Sequence, residues 1–139
     1  MKAHLTQVQG MKFEARVEGS PAIVLHAAQK DEPYEGPSPM QATLLAAMGC
    51  TASDIVWILT KQRVPFTKLE IEGEAERAKE EPKVFTRIHL HYRVYGDGVK
   101  EAAVKRAIDL STEKYCSVGI MLRRGGVAWQ NTWELLPPK

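Results

Sequence analysis

Two segments of the chain alternate apolar and charged residues with a period of two, the pattern of strands with one face in a core. Leu69–Ala75 puts Leu69, Ile71, Gly73 and Ala75 on one side and Glu70, Glu72 and Glu74 on the other, with Glu76 just beyond. Phe85–Tyr95 puts Ile88, Leu90, Tyr92 and Val94 on one side and Arg87, His89, His91 and Arg93 on the other. Turning the chain at Glu80-Glu81-Pro82-Lys83 sets Glu76 against Arg87, Glu74 against His89, Glu72 against His91 and Glu70 against Arg93. The same register joins the two apolar sides, and a slip of one residue would reverse every side chain. A β-hairpin in this register is predicted.

Elsewhere the pattern changes period. Short extended segments around Ala3–Gln9, Met11–Val17 and Ala22–Ala27, broken at Gly10 and Gly19-Ser20-Pro21, read as a meander with tight turns. Residues 29–39, with three prolines and a glycine, form an irregular connector. A helix then starts at Ser38 as N-cap, Pro39 as first helical residue and Gln41 as the capping-box partner, and runs to about Gln62. Its first half, Met40 to Ala52, is apolar on nearly every side and should be buried. Its second half gains Asp54, Lys61, Gln62 and Arg63 and should emerge to the surface.

After the Gly96-Asp97-Gly98 turn, Val99 to about Tyr115 reads as an amphipathic helix, with Val99, Ala103, Val104, Ala107 and Leu110 inward. A short helical piece, Val118–Leu122, begins at Cys116-Ser117, and a last strand spans Val127–Leu135. The fold class is α+β, a single domain over residues 1–139 in which sheet wraps a buried helix.

The 139 residues are 44% apolar and 26% charged, as in an ordinary globular domain, and the net charge of +2 marks no basic face for nucleic acid. Met1-Lys2-Ala3-His4-Leu5 has no signal-peptide character, and the most apolar run, Ala42 to Cys50, falls short of the ~20 residues that span a bilayer. A cytoplasmic protein without membrane or nucleic-acid partners is expected. In that compartment its two cysteines are not expected to form a static disulfide.

Cys50 and Cys116 therefore carry the candidate chemistry. Cys50 lies mid-helix, where an inert buried thiol is as good a reading as a reactive one. Gly49 beside it costs a helix about 1 kcal/mol and suggests close approach of a backbone or ligand. Cys116 stands where one helix ends and another begins, and unpaired N–H groups at a helix start favour a thiolate. There too an inert thiol is an equal alternative. A metal site using the cysteines with His26, His89 or His91 is the weaker reading, because no zinc-type spacing is present, and no metal ligand is assigned. No histidine sits in a hydrolase-like setting, and no phosphate loop or other cofactor motif is present.

Two stretches add up to a resemblance. GPSPMQATLLAAMGCTASDIVWIL (residues 36–59) resembles the first-cysteine helix of the OsmC/Ohr family, and LSTEKYCSVGIML (residues 110–122) its second-cysteine segment. The hairpin strand PKVFTRIHLHYRVYG (residues 82–96) is also similar, and the YhfA-like branch fits best. The resemblance spans roughly residues 10–135. It implies an OsmC-like fold, with sheets wrapped around central helices in an intertwined homodimer. It implies reduction of organic hydroperoxides by thiols, with Cys50 peroxidatic, Cys116 resolving, a dithiol as electron donor and no cofactor. By position Arg16 would hold the thiolate, with Asp54 able to orient an arginine. Met40, Gln41 and Met48 would contact substrate, within an apolar lining that includes Leu44, Trp57 and Met121. Gln41 stands where close relatives often carry an acidic residue and cannot supply its charge. A non-catalytic binding or redox-sensing dimer is the alternative.

Overall fold

The computed structural model describes residues 1–139. Its internal contacts divide between two compact units, Met1–Leu45 and Ala46–Lys139.

The first unit holds an antiparallel meander in the order β1 (Ala3–Gln9), β2 (Lys12–Val17), β3 (Ile23–His26). Gly10, at φ +55°, makes the reversal between β1 and β2. His26 is buried at the end of β3; its Nδ1 accepts from the Glu35 N–H at 3.1 Å, so Nε2 carries the proton that reaches Glu32 at 3.1 Å. The connector that follows is thereby tied to the sheet. It ends in the expected capping box: the Ser38 N–H donates to Gln41 Oε1 at 2.9 Å and the Gln41 N–H donates to Ser38 Oγ at 3.1 Å. That reciprocal pair satisfies two of the orphan donors at the start of α1, Pro39–Lys61.

The second unit is a three-stranded sheet in the order β4 (Phe66–Arg77), β5 (Phe85–Gly96), β6 (Ala128–Leu136), with α2 (Glu101–Leu110) and α3 (Ser117–Arg124) between β5 and β6. The hairpin register is the one the alternation demands. Glu70, Glu72, Glu74 and Glu76 pair with Arg93, His91, His89 and Arg87, and Leu69, Ile71, Gly73 and Ala75 with Val94, Tyr92, Leu90 and Ile88. The last strand runs parallel to β5, the return that a helical crossover makes possible. Ile88, Leu90, Tyr92 and Val94 are fully buried and form the floor of the core.

Helix α1 differs from its sequence expectation in two ways. It is not buried all round: within this chain it buries Ala47, Thr51, Ile55, Ile58 and Leu59, while Leu45, Val56 and Trp57 stay exposed. One sheet covers one face, and a helix apolar on two faces needs a second cover. Nor does its second half simply emerge, because Ile55, Ile58 and Leu59 are core residues and Asp54 is half-buried. By length and composition α1 is apolar enough to cross a bilayer, a test that core helices of soluble proteins also pass. The segment from Val99 to Tyr115 is also not one α-helix. It is α2 followed by a π-helical turn, Ser111–Tyr115, which swings the chain so that the Ser111 side chain is fully buried.

Candidate active site

Both thiols belong to the Ala46–Lys139 unit, and both are free. Cys50 is carried mid-way along α1 and is half-buried; Cys116 is buried at the N-cap of α3. The π-helical turn ends with the Cys116 N–H on the Ser111 carbonyl at 2.7 Å, and Cys116 then takes extended geometry (φ −74°, ψ 92°) to start α3. Its sulfur accepts from the Gly119 N–H at 3.4 Å. Gly119 is itself fitted to the site, since a Cβ there would come within 3.1 Å of Cys116 Sγ and 3.4 Å of the Trp129 ring.

The fold brings the two thiols together with a carboxylate. One donor atom from each of Cys50, Asp54 and Cys116 lies within 4.8 Å of the other two. Asp54 follows Cys50 by one helical turn and so shares its face. A chain of hydroxyls supports it from behind. Ser111 Oγ donates to Asp54 Oδ2 at 2.9 Å, which leaves Thr51 Oγ1 as the donor in its 2.9 Å bond to Ser111. Tyr92 Oη lies 3.3 Å from Thr51 Oγ1 and donates to Asn131 Oδ1 at 3.1 Å, which also accepts from Trp129 Nε1 at 3.2 Å. Asn131 Nδ2 reaches Thr112 Oγ1 at 2.8 Å, and Arg123 Nη2 donates to the Thr112 carbonyl. Helix α1, the π-helical turn and strands β5 and β6 are thus linked beneath the thiols.

Burial sets the electrostatics of the second sulfur. Burial pushes the Cys116 thiol up to about 11; the Gly119 N–H pulls the other way, while Cys50 and Asp54 add to the rise. Cys116 is therefore a thiol at neutral pH. Burial likewise pushes the Tyr92 phenol up to about 12, against the Thr51 hydroxyl, so it stays a hydrogen-bond donor. Protonation of Cys116 is linked to folding. The native state holds this proton more tightly than the unfolded chain does, so the associated stability is complete below the ordinary thiol range. It is lost as pH rises through about 11. Iodoacetamide alkylation of native protein at pH 8 should leave Cys116 largely unmodified, its rate climbing as pH approaches 11; peptide mapping across that range checks this.

The other expected residues fall into three groups. Arg16, on β2 in the first unit, pairs loosely with Glu14 at 3.5 Å and borders an open cavity of about 340 Å³ shared with Leu5, Val17 and Ile23. Gln41 is exposed, and its side-chain oxygen is taken by the Ser38 N–H, while Met40 is half-buried beside it at the start of α1. Met48 lies over the sheet, its sulfur 2.7 Å from where a Cβ at Gly73 would sit. Gly73 is thus the residue whose small size admits this contact.

Gly49, Trp57, Met121, His89 and His91 complete the set. Gly49 meets nothing, since a Cβ there has no neighbour within 4 Å, so the close approach suggested by its glycine is not made by this chain. Trp57 and Met121 are 58% and 65% exposed, and Trp57 borders an open groove with Val56 and Lys61. His89 and His91, paired with Glu74 and Glu72 across the hairpin, are both half-buried and hydrogen-bond to Thr132 Oγ1 at 2.7 Å, and His91 also reaches Glu134 at 3.1 Å. Thr51, Ser111, Thr112, Tyr92 and Asn131 were not singled out from the sequence. Their one legible signal was Tyr92, a hydroxyl-bearing residue in an otherwise aliphatic run of inward β5 positions.

Residues 29–130 match the family model described as OsmC-like protein, which covers both thiols and the elements that carry them. The chain belongs to the OsmC-like family. It is 42% identical to protein YhfA of Escherichia coli K12 over 124 residues, 89% of this chain and 90% of that one. Among solved structures, an OsmC-like protein from Mycoplasma pneumoniae superposes with a TM-score of 0.83 at 16% identity, covering 97% of this chain and 96% of that one. The organic hydroperoxide resistance protein OhrB of Bacillus subtilis superposes at 0.64 with 16% identity, covering 96% of this chain and 98% of that one. At such identities these two likenesses carry the fold and nothing finer.

Proposed function

We propose that this OsmC-like chain is a thiol-dependent reductase of organic hydroperoxides. The observation that carries the reading is the convergence of the only two thiols of the sequence, far apart in the chain, to within 4.8 Å. Membership of a family with hydroperoxide-resistance proteins among its structural relatives supports a redox or peroxide-related role. In the reaction, the Cys50 thiolate attacks the O–O bond of ROOH. One oxygen stays on sulfur as sulfenic acid, and RO⁻ takes a proton and leaves as the alcohol. Cys116, held as a thiol by burial, then gives its sulfur to the sulfenic sulfur and its proton to the departing hydroxide. The products are a disulfide and water. A dithiol returns two electrons and two protons to close the cycle. Gly119 and the π-helical turn keep the second sulfur in reach of the first.

Arg16 is assigned to hold the Cys50 thiolate, and Met40, Gln41 and Met48 to contact the substrate. The exposed apolar face of α1 around Val56 and Trp57 suits a second copy of the chain, in keeping with a homodimer. That copy would also cover Trp57. A cytoplasmic setting agrees with free thiols.

The second reading is a non-catalytic binding or redox-sensing protein on the same fold. It is favoured by Asp54, whose carboxylate lies within 4.8 Å of both sulfurs and adds to the rise of the Cys116 thiol. A Cys116→Ser variant tests the choice. Given one equivalent of an organic hydroperoxide, it should stop at a sulfenic acid on Cys50 that a 1,3-dione traps. A variant that consumes no peroxide and yields no adduct supports the sensor or binding reading.

A further inference from the structure

We propose that Cys50, Cys116 and Asp54 form a binding site for a thiophilic divalent cation of the zinc type. The donor atoms already converge within 4.8 Å of one another. A tetrahedral zinc with sulfur at about 2.3 Å and oxygen at about 2.1 Å spaces its ligands roughly 3.5–3.8 Å apart. Side-chain rotation closing by about 1 Å completes that geometry. Two of the three ligands are one helical turn apart on α1, so their relative placement is rigid, and the third is fixed by the N-cap of α3.

The chemistry of the donor set argues the same way. Asp54 is a half-buried carboxylate that forms no salt bridge with any basic group of the Ala46–Lys139 unit, and it sits beside two sulfurs that would give up their protons on binding a metal. A partly desolvated carboxylate of this kind is costly without a cation. Sulfur donors select a soft or borderline ion over magnesium or calcium. Ser111 engages only one carboxylate oxygen, Oδ2, and is itself held by Thr51. This is the outer support that metal-bound carboxylates ordinarily have, and it leaves Oδ1 without a hydrogen-bond partner in the chain. Three protein ligands leave a fourth position for water. The spacing escapes a search for paired cysteines or histidines because the third ligand is an aspartate four residues after Cys50. The inference does not depend on peroxide chemistry, since the same cluster holds the ion whether or not the pair is catalytic.

The test uses the full reduced chain under anaerobic conditions with Co²⁺ as the probe and Zn²⁺ as competitor. One Co²⁺ per chain should bind with an intense near-ultraviolet thiolate-to-cobalt absorption that Zn²⁺ abolishes. Cys50→Ser and Cys116→Ser should each weaken that absorption sharply. Asp54→Asn should lower the affinity at least tenfold, and Ser111→Ala about tenfold, with both thiols still counted by a thiol reagent. Absence of the absorption in the wild-type chain overturns the proposal, and so does an Asp54→Asn variant that binds as tightly as wild type. The wild-type spectrum decides the matter even if a variant fails to fold. Metal binding without peroxide reduction would count against the reductase reading alone, and the converse against this site alone.

Discussion

Replacing Cys50 by serine should abolish dithiol-dependent consumption of organic hydroperoxide, leaving the rate at the uncatalysed background. A serine hydroxyl at neutral pH is no match for a thiolate in attack on an O–O bond, and no other thiol can take over the first step. Cys116 cannot substitute, because burial holds it protonated well above neutrality and it stands on the inner side of the pair. The substitution changes one atom on a half-buried helical face, so the fold should survive, and unchanged far-ultraviolet circular dichroism would confirm that. Rates measured with two different dithiols guard against a donor-specific effect. If the variant keeps wild-type turnover, Cys50 is not the peroxidatic residue.

The largest effect on stability is expected from Leu90→Ala. Leu90 is fully buried on the inward face of β5, opposite Gly73, with Met48 packed over the same spot. Gly73 has no side chain to move into the space, so truncation leaves a cavity, and the cost should be about 2–5 kcal/mol by chemical denaturation. Glu74→Ala, on the opposite face of the same hairpin, should change stability by less than about 0.5 kcal/mol. Equal effects at the two positions would mean that the inward face of the hairpin is not the core.

The hairpin was legible because its two faces carry independent constraints that agree on one register. The capping box was legible because Ser38, Pro39 and Gln41 each have a local physical role. The convergence of Cys50 and Cys116 was implied only by family resemblance, since no local rule brings together residues on separate elements. The hydroxyl chain from Asp54 through Ser111 and Thr51 was invisible for the same reason. It depends on a π-helical turn, and the sequence of Ser111–Tyr115 gives no period that distinguishes such a turn from the end of α2. Asp54 was expected at the surface because charge on a helix ordinarily marks a solvated face. Here it marks the site. The apolar side of α1 that stays exposed within this chain was legible as a face that wants cover, but periodicity does not say which chain provides it.

As proposed, Cys50 and Cys116 act as one redox couple. Reduced wild-type protein should be given one equivalent of an organic hydroperoxide and analysed by intact mass and by peptide mapping without reductant. Both thiols should be lost, with a mass lower by two hydrogens and a peptide in which Cys50 is joined to Cys116 within one chain. Two thiols still free after the peroxide has been added, or oxidation that stops at one sulfur with no Cys50–Cys116 linkage, would contradict it.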